Sequence, residues 1–570
     1  MKRQYLNVKE GVIVKKIALG NSDFKTLIED DRYFVDKSLL IKEILEDSAQ
    51  IILIPRPRRF GKTLNLSMIR YFVDRCDEDR RYLFNNLLIE KEKDIMKRQG
   101  IYPTIYLTFK DEKHDKFEDF QMKLAFFVSE IYKKHYYLYE SLTFQVDKDY
   151  FDKIINKVST KAELEMSLKN LSKYLYDYYG EKIIILIDEY DTPIQHSYFS
   201  GIYDDTIAFM RNFLSNTLKD NIYLEKALLT GILRVARESI FSGLNNLDVY
   251  SILKEGYSDK FGFTEVEIEK MLNDFNIVKE KDEFKRWYNG YLFGNTVIYN
   301  PWSTLSYLKD KNEYFMPYWV NTSENKIIKT ILAKGSDGLK KSFEELLKGN
   351  TIETTIDENI IMADIEANEN NVWSFLLLSG YLKVVDKIRK EDEIYYKVAI
   401  PNVEVKHMYN KIIKDWASES YVSSEYNEML KALINFDYEV FEEIFIDYVE
   451  KSLSYFDVSG EEPERVYHGF VLGMLVALNN THYVLSNRES GYGRYDVMVI
   501  PKDITKPGII IEFKRARKNN KKTIEQLIEE AKKQIEDKKY ETELLSRGIT
   551  DIKKLVIVFK GKEVSVNNVT

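Results

Sequence analysis

Two stretches of the sequence combine residue types that bind phosphate. The first runs Arg56-Pro-Arg-Arg-Phe-Gly-Lys-Thr63 and follows the four apolar residues Ile51–Ile54. A short strand, a loop, Gly-Lys-Thr and a helix, in that order, are typical of a phosphate-binding loop, whose backbone N–H groups face an anion. Lys62 would contact the terminal phosphates, and Thr63 would ligate Mg²⁺. The residues predicted to bind the nucleotide here are Arg58, Arg59, Phe60, Gly61, Lys62 and Thr63.

This loop departs from the general pattern at one position. G-x-x-x-x-G-K-[ST] requires a glycine where this chain has Arg56. We therefore expect a loop that turns without its first glycine and is helped by Pro55 and Pro57, whose rings restrict the backbone.

Two acids are expected to complete the nucleotide site. Ile183–Ile187 consists of branched apolar residues, as in a strand that is buried on both faces of a parallel sheet. Asp188 follows at the carboxyl end, where open α/β sheets bind ligands. Asp188 is predicted to hold Mg²⁺, and Glu189 is predicted to polarise the attacking water. The alternative is a buried strand followed by a solvated acidic turn.

A neighbouring strand is predicted at Leu224–Gly231. Thr230 at its end could sense the γ-phosphate, and Arg234 just beyond could stabilise the charge of the transition state. A structural role for Arg234 is equally open, in which its stem packs against neighbours and its guanidinium pairs with Glu238 or another acid.

The second phosphate-binding stretch lies near the C-terminus. Asp496 precedes an apolar strand, and Glu512-Phe-Lys514 lies in the next strand. Side chains alternate along a strand, so Glu512 and Lys514 share one face, where burial is costly unless something pairs them. A divalent metal held by Asp496 and Glu512 would do so, and Lys514 could orient or activate water. The alternative is a surface hairpin with a Glu–Lys pair.

The helix predicted at 521–540 supports the catalytic interpretation. Its apolar stripe faces the strands, and Gln534 at the edge of the stripe could point into the site. A local basic patch, as phosphate contacts require, surrounds the start of this helix. Its residues are Lys514, Arg515, Arg517, Lys518, Lys521 and Lys522.

The elements that position the first site alternate between strand and helix. Another strand is predicted at 102–109, and helices are predicted at 117–137, 161–179 and 204–218. Alternating strands and helices indicate a parallel sheet in a doubly wound α/β layer.

The composition of the chain indicates which classes of protein it can belong to. The chain has 570 residues and a formal net charge of −8, so contact with nucleic acid must depend on a local basic patch. The single cysteine, Cys76, excludes an intramolecular disulfide and fits a reducing cytosol. The N-terminus lacks the apolar run of a signal peptide, and no run approaches the ~20 residues of a membrane helix. We expect a cytoplasmic protein without membrane association.

Taken together, these motifs resemble two known families. The N-terminal half is similar to bacterial AAA-ATPase-like proteins through Tyr33-Phe-Val-Asp-Lys-Ser38, Arg56–Thr63, Ile187–Asp191, Thr230–Asn246 and Tyr299-Asn-Pro-Trp-Ser303. The C-terminal part resembles the PD-(D/E)XK nuclease domain through Ser486–Asp496, Ile511–Lys514 and Gln534–Tyr540.

The resemblance implies an α/β fold in which a P-loop (ASCE/AAA-like) parallel-sheet ATPase domain, at 1–255, is joined to a restriction-endonuclease-like α/β domain, at 441–570. Between them, the sequence pattern changes at about residue 256 and predicts a small lid at 256–335 and a helical or winged-helix-like connector at 336–440. Arg56 would then be the family's own form of the phosphate loop.

The leading expectation is an ATPase with a fused nuclease that acts on nucleic acid, with DNA as the expected target. ATP and Mg²⁺ would be the cofactors, Glu189 the base for ATP hydrolysis, and Asp496, Glu512, Lys514 and Gln534 the cleavage residues. The alternative is a nucleotide-switched binding or signalling protein whose C-terminal domain does not cut. In a third possibility, the second domain is only structural. The sequence does not fix the oligomeric state.

Overall fold

The computed structural model describes residues 15–110, 112–234, 246–277, 280–310, 315–319, 328, 337–360, 365, 368–419, 423–453, 475, 478, 481–486, 489–490, 493–515, 523–560 and 563–569, with two short strands before residue 15. The chain divides into two compact units. The first comprises Met1–Asn325 and Gly349–Val405, and the second comprises Lys326–Lys348 and Lys406–Thr570.

The strands, in chain order, are β1 (Val8–Lys9), β2 (Val12–Ile13), β3 (Ile51–Pro55), β4 (Thr104–Thr108), β5 (Ile183–Asp188), β6 (Leu224–Gly231), β7 (Leu247–Val249), β8 (Phe263–Thr264), β9 (Tyr291–Phe293), β10 (Thr296–Tyr299), β11 (Ile352–Thr355), β12 (Lys383–Lys390), β13 (Glu393–Ala399), β14 (His482–Ser486), β15 (Glu489–Ser490), β16 (Gly493–Arg494), β17 (Val497–Pro501), β18 (Gly508–Arg515), β19 (Ile552–Lys560) and β20 (Glu563–Asn568).

The α-helices are α1 (Phe24–Glu29), α2 (Leu39–Glu46), α3 (Lys62–Val73), α4 (Lys93–Met96), α5 (Phe117–Lys134), α6 (Gln145–Asn156), α7 (Lys161–Glu165), α8 (Ser167–Tyr179), α9 (Thr192–Ser200), α10 (Tyr203–Leu218), α11 (Glu265–Asp274), α12 (Lys281–Tyr288), α13 (Pro301–Asp310), α14 (Asp337–Lys348), α15 (Glu369–Leu378), α16 (Val403–Glu419), α17 (Ser423–Asn435), α18 (Tyr438–Leu453), α19 (Ile524–Lys538) and α20 (Thr542–Ser546).

The first unit is built on a five-stranded sheet in the order β4-β5-β6-β3-β7, in which all neighbours are parallel. Every residue of β3 and β5 is buried, which explains their continuous apolar sequences. Pro55 pairs with Gly231, and Thr108 pairs with Asp188, so the carboxyl ends of four strands meet at one edge. The predicted parallel α/β sheet is confirmed.

The described part of this unit also contains three small antiparallel sheets, one of which is the two-stranded sheet β1-β2. The sheet β8-β10-β9 packs beside an aromatic core that includes Phe284, Tyr288 and Tyr307, so the aromatic residues of this stretch mainly fill a core. The sheet β11-β13-β12 packs with α15, whose residues Val372–Leu378 are all buried. The region 336–440, for which a helical or winged-helix-like connector is expected, thus contains three strands besides its helices.

The second unit contains a mixed five-stranded sheet in the order β14-β17-β18-β19-β20. Only the β18–β19 pair is parallel, and the other described pairs are antiparallel. Alternate residues of β18 face two apolar layers: Ile511 packs with residues of α17 and α18, and Ile510 packs with residues of α19. The predicted C-terminal α/β fold is confirmed.

Among the described residues, the helices are all too short or too polar to span a lipid bilayer.

Candidate functional sites

The phosphate loop connects β3 to α3. The backbone has a positive φ at Arg59 (67°) and at Gly61 (85°), the residue directly before Lys62, whereas Arg56 is not among the residues with positive φ. The missing glycine of the general pattern is therefore not needed for backbone geometry at position 56, because only a left-handed φ strongly favours glycine.

Lys62 is buried at the start of α3. Its Nζ donates to the carbonyl oxygens of Arg56 at 2.8 Å and Pro57 at 3.0 Å. Burial lowers the pKa of Lys62, and this effect is opposed by Glu189, Asp191 and Asp188. The loop's own carbonyls thus hold the ammonium group near the acids of β5, where phosphate oxygens could replace those carbonyls.

Asp188 joins three elements at the carboxyl edge of the sheet. It is fully buried at the end of β5, and its two carboxylate oxygens accept hydrogen bonds from Thr63 on α3 and Thr230 on β6, each at 2.7 Å. The sequence predicts Thr63, Thr230 and Asp188 as residues of one nucleotide site. Buried hydroxyl–carboxylate bonds of this kind fix side-chain positions closely.

Glu189 lies immediately beyond Asp188 in a left-handed conformation with φ of 53°. Burial raises the pKa of Glu189, with Lys62 acting in the opposite direction. Asp191 is nearly fully buried, and its Oδ2 accepts from the N–H groups of Ile232 at 2.8 Å and Leu233 at 2.9 Å. Asp191 therefore fixes the chain that follows Thr230, a role that sequence reasoning missed.

The remaining loop residues each contact other parts of the protein, although Arg59 stays exposed to solvent. The guanidinium of Arg59 lies 4.3 Å from the centre of the Trp302 ring, and the carbonyl oxygen of Arg58 accepts from the Trp319 indole at 3.1 Å. Phe60 is fully buried against Tyr291 and Phe293. Only the backbone of Phe60 is therefore free to meet a phosphate.

Arg234 is the last described residue before the gap at 235–245. Its Nε is buried and has no hydrogen-bond partner among the described residues. Glu238, the acid suggested as its partner, lies outside the described residues.

The donors and acceptors at this edge fit a magnesium nucleotide. An ammonium group, a loop turning into a helix N-terminus, and a threonine hydroxyl bonded to an acid are the groups that phosphate and Mg²⁺ require. Lys62 would meet phosphate oxygens, and Thr63 with Asp188 would hold the ion.

The second cluster lies where β17, β18 and α19 meet. Asp496 directly precedes β17, and its Oδ2 accepts from the backbone N–H of Phe513 at 2.8 Å. Glu512 and Lys514 lie on one face of β18, with Lys514 Nζ at 3.0 Å from Glu512 Oε1. Glu512 and Lys514 therefore share one face of the strand, as the alternation of side chains predicts.

Gln534 connects this pair to α19. Its Nε2 donates to Glu512 Oε1 at 2.6 Å, and its Oε1 accepts from Lys514 at 2.8 Å. Nε2 also donates to the Tyr540 hydroxyl at 2.9 Å, which fixes the orientation of the amide. Helix α19 begins with a capping box formed by Thr523 and Gln526, and its buried Leu527, Ala531 and Ile535 set the rotation that brings Gln534 to the strand.

Within the described part of the chain, one of the two acids in this cluster has an unsatisfied carboxylate oxygen. Glu512 is almost fully buried, and its Oε2 has no hydrogen-bond partner among the described residues. Burial and the nearby Asp496 raise the pKa of Glu512 to about 7, and burial raises the pKa of Asp496. A divalent ion between the acids would satisfy the free oxygen and remove their repulsion, so the residues fit a metal.

In the part of the chain that the structure describes, no group of three or more His, Cys, Asp or Glu could hold a metal, so the cluster has two acids. The basic residues Arg517, Lys518, Lys521 and Lys522 lie outside the described residues.

Fold and sites define a chain with a P-loop α/β region and a nuclease-like α/β region. Residues 18–241 match the family model described as "Predicted AAA-ATPase", and residues 462–569 match the "PD-(D/E)XK nuclease superfamily" model. The resemblance to both families is confirmed.

One curated relative comes from Azotobacter chroococcum mcd 1, under the name "Uncharacterized protein in vnfD 5'region". It is 26% identical over 404 residues, which cover 70% of each chain.

Proposed function

We propose that this protein binds and hydrolyses ATP with Mg²⁺ at the phosphate loop and cuts nucleic-acid phosphodiesters, with DNA as the target, at the C-terminal cluster. The carrying observation is the same at both places: side chains from separate elements converge on a buried carboxylate, Asp188 in one and Glu512 in the other. The AAA-ATPase and nuclease family matches support the two activities.

At the first site, Lys62 would exchange its carbonyl partners for phosphate oxygens. Glu189, with a raised pKa, would orient the attacking water and take its proton, and Thr230 would place its hydroxyl near the γ-phosphate. Arg234 would contribute positive charge beyond the strand. Bound Mg²⁺ would neutralise charge on the phosphate oxygens.

At the second site, Asp496 and Glu512 would hold the metal, and Lys514 would orient the attacking water and stabilise negative charge at the reacting phosphate. Gln534 would keep the lysine in place through its hydrogen bond. The metal would polarise the phosphodiester and lower the pKa of water.

Digestion of a plasmid and of labelled oligonucleotides in Mg²⁺ tests the cleavage half. We expect cleavage by the wild type and none by Asp496→Ala. The matched control is Asp503→Asn, which changes an exposed acid in the turn after β17 and should cut normally. Equal cleavage by the wild type and Asp496→Ala would overturn the nuclease assignment.

Release of phosphate from ATP tests the other half. Lys62→Ala should abolish hydrolysis because the ammonium group that meets the phosphates is gone. Undiminished hydrolysis by Lys62→Ala would overturn the assignment of this site.

A second candidate is a nucleotide-switched binding protein that grips nucleic acid without cutting it. The ion pair between Lys514 and Glu512, which offsets the charge of one acid without a metal, favours it. This candidate predicts ATP-dependent retention of labelled DNA, loss of retention in Lys62→Ala, and intact DNA after incubation with Mg²⁺.

A further inference from the structure

The residue that replaces the first glycine of the phosphate loop is one of the largest fully buried side chains among the described residues. Arg56 has no exposed surface, although arginine is almost never fully buried unless it is paired. Arg56 is not among the residues with a positive φ, so the backbone at this position does not require glycine. The arginine side chain can therefore make contacts here that glycine could not.

The guanidinium of Arg56 is bound by backbone carbonyls and aromatic rings. Nη1 donates to the carbonyl oxygens of Pro55 at 2.9 Å and Tyr250 at 2.6 Å, and Nη2 donates to that of Tyr257 at 3.2 Å. The rings of Phe261 and Phe293 lie 5.4 and 5.1 Å from the guanidinium carbon. Among the described residues no acid forms an ion pair with it, and burial lowers its pKa to about 9, so the group remains charged at neutral pH.

The segment to which Arg56 binds is itself anchored. The rings of Tyr250 and Tyr257 are in edge contact at 4.8 Å, and their hydroxyls donate to one oxygen of Asp47 at 2.8 and 2.7 Å. This anchored stretch, residues 250–257, follows β7 at the edge of the parallel sheet. The start of the phosphate loop is therefore attached to a second fixed point besides β3.

The main chain of the same residue reaches the proposed phosphate-binding lysine. The carbonyl oxygen of Arg56 accepts from Lys62 Nζ, so one residue is bound on its side chain by residues 250–257 and on its main chain by Lys62. Displacing residue 56 would thus shift the carbonyl that positions the ammonium group.

We propose that Arg56 is a positioning residue for nucleotide binding, which fixes the start of the phosphate loop on residues 250–257 so that Lys62 and the loop N–H groups are in place before phosphate arrives. The inference rests on the proposed ATP-binding function of this site. Holding a loop in its binding conformation lowers the ordering cost of binding, so the effect falls on affinity. Glycine makes no such attachment, and lysine, with a single ammonium group, cannot reproduce the two-armed fork of the guanidinium.

The test compares Arg56→Met, Arg56→Gly and Arg56→Lys with the wild type in the full-length chain. Thermal unfolding reports stability, titration with a fluorescent ATP analogue and Mg²⁺ reports Kd, and steady-state hydrolysis reports KM and kcat separately. Arg56→Met should lower the unfolding temperature, because the carbonyls of Pro55, Tyr250 and Tyr257 lose their donor. Its Kd and KM for the nucleotide should rise by roughly tenfold or more, as expected when hydrogen bonds to a charged group are lost.

Arg56→Gly restores the general motif but should bind as weakly as Arg56→Met. Arg56→Lys should recover only part of the affinity, and it decides the question if the methionine variant does not fold. The matched control is Tyr132→Phe, which removes another fully buried donor to a backbone carbonyl, that of Ser167, between two helices that do not contribute to the phosphate loop. This control should lower the unfolding temperature without changing the nucleotide Kd.

Wild-type affinity in both Arg56→Gly and Arg56→Lys would overturn the inference while leaving ATP binding intact. An equal loss of affinity in Tyr132→Phe would also overturn it, because the effect would then reflect stability alone. Absence of nucleotide binding by the wild type would instead overturn the proposed function on which the inference rests.

Discussion

The two candidate sites differ in how completely their buried carboxylates are hydrogen-bonded. Asp188 in the parallel sheet receives a hydroxyl on each oxygen, from Thr63 and Thr230. Glu512 in the mixed sheet receives Lys514 and Gln534 on one oxygen and nothing from the described residues on the other. Both oxygens of Asp188 are thus bound by described residues, whereas one oxygen of Glu512 could still accept from a further donor or bind a cation.

The comparison has an energetic consequence. A buried carboxylate that keeps a free oxygen beside a second acid favours its protonated form. The raised pKa of Glu512, at about 7, follows from burial and from Asp496. We therefore expect the second site to respond to metal and to pH, and the first to respond to the loss of its hydroxyl donors.

The largest expected effect comes from neutralising each acid in turn. Glu512→Gln should lower cleavage by about 10³-fold or more, because a metal ligand and its charge are lost. At pH 8 without metal, the same change should stabilise the second unit, since it removes an unfavourable buried charge. Asp188→Asn should instead destabilise the first unit by about 1–3 kcal/mol, because the amide nitrogen cannot accept from a threonine hydroxyl.

Hydrogen exchange at the amides of β18 and β5 in the full-length chain would separate the two stability effects. The control is Asp503→Asn, which alters an exposed acid of the second unit and should change neither strand. Equal destabilisation by Glu512→Gln and Asp188→Asn would contradict the expected difference between the two sites.

The next largest effect is a dependence of cleavage on pH and Mg²⁺ together. An acid with a raised pKa is mostly protonated below about pH 7, and protons then compete with the metal for Glu512. Cleavage at limiting Mg²⁺ should fall as the pH drops through about 7, and tenfold more Mg²⁺ should move the midpoint down by about one unit. Rates measured from pH 5.5 to 8.5 at two Mg²⁺ concentrations check this, and a midpoint that is independent of Mg²⁺ would contradict it.

Stability should depend on pH with the opposite sign to cleavage. The folded pKa of Glu512 lies above the ordinary value of 4.5, so the native state holds the proton more tightly than the unfolded chain does. In the absence of metal, the free energy of unfolding of the second unit should therefore decrease as the pH rises from about 4.5 to about 7. Glu512→Gln should reduce this slope in a denaturant titration and leave the part that comes from the raised pKa of Asp496.

The smallest effect is expected from the hydroxyl of Thr230. Thr230→Val keeps the shape of the side chain but removes one donor to Asp188 and the group nearest the expected γ-phosphate. We expect ATP hydrolysis to fall by about tenfold with little change in ATP affinity. Thr206→Val, which removes a hydroxyl bonded to the Ile202 carbonyl in the same unit, is the control. Unchanged hydrolysis would show that the donor to Asp188 is dispensable.

Local sequence patterns predict much of both regions. The continuous apolar runs predict β3, β5 and the carboxyl edge where Asp188 lies, and the alternation of Glu512 and Lys514 predicts their shared face. Each of these predictions uses only local information, either the two-residue period of one strand or the order of neighbouring elements along the chain.

The residues that sequence reasoning missed act over long separations. Arg56 binds a carbonyl 194 positions away, and the indole of Trp319 binds a carbonyl of the phosphate loop 261 positions away. Neither separation follows the period of a helix or a strand. From the sequence alone, a buried arginine in a loop cannot be distinguished from a solvated one. Asp191 was part of a recognised motif, but its bonds to Ile232 and Leu233 depend on how two strands are placed.

The central claim is that the chain has two separate sites for divalent metal, one dependent on nucleotide and one not. Calorimetric titration of the full-length protein with Mn²⁺, with and without a non-hydrolysable ATP analogue, measures this directly. We expect one site without nucleotide, lost in Glu512→Gln, and a second that appears with nucleotide and is lost in Asp188→Asn. Loss of both sites in either variant, or metal binding that neither substitution alters, would contradict the claim.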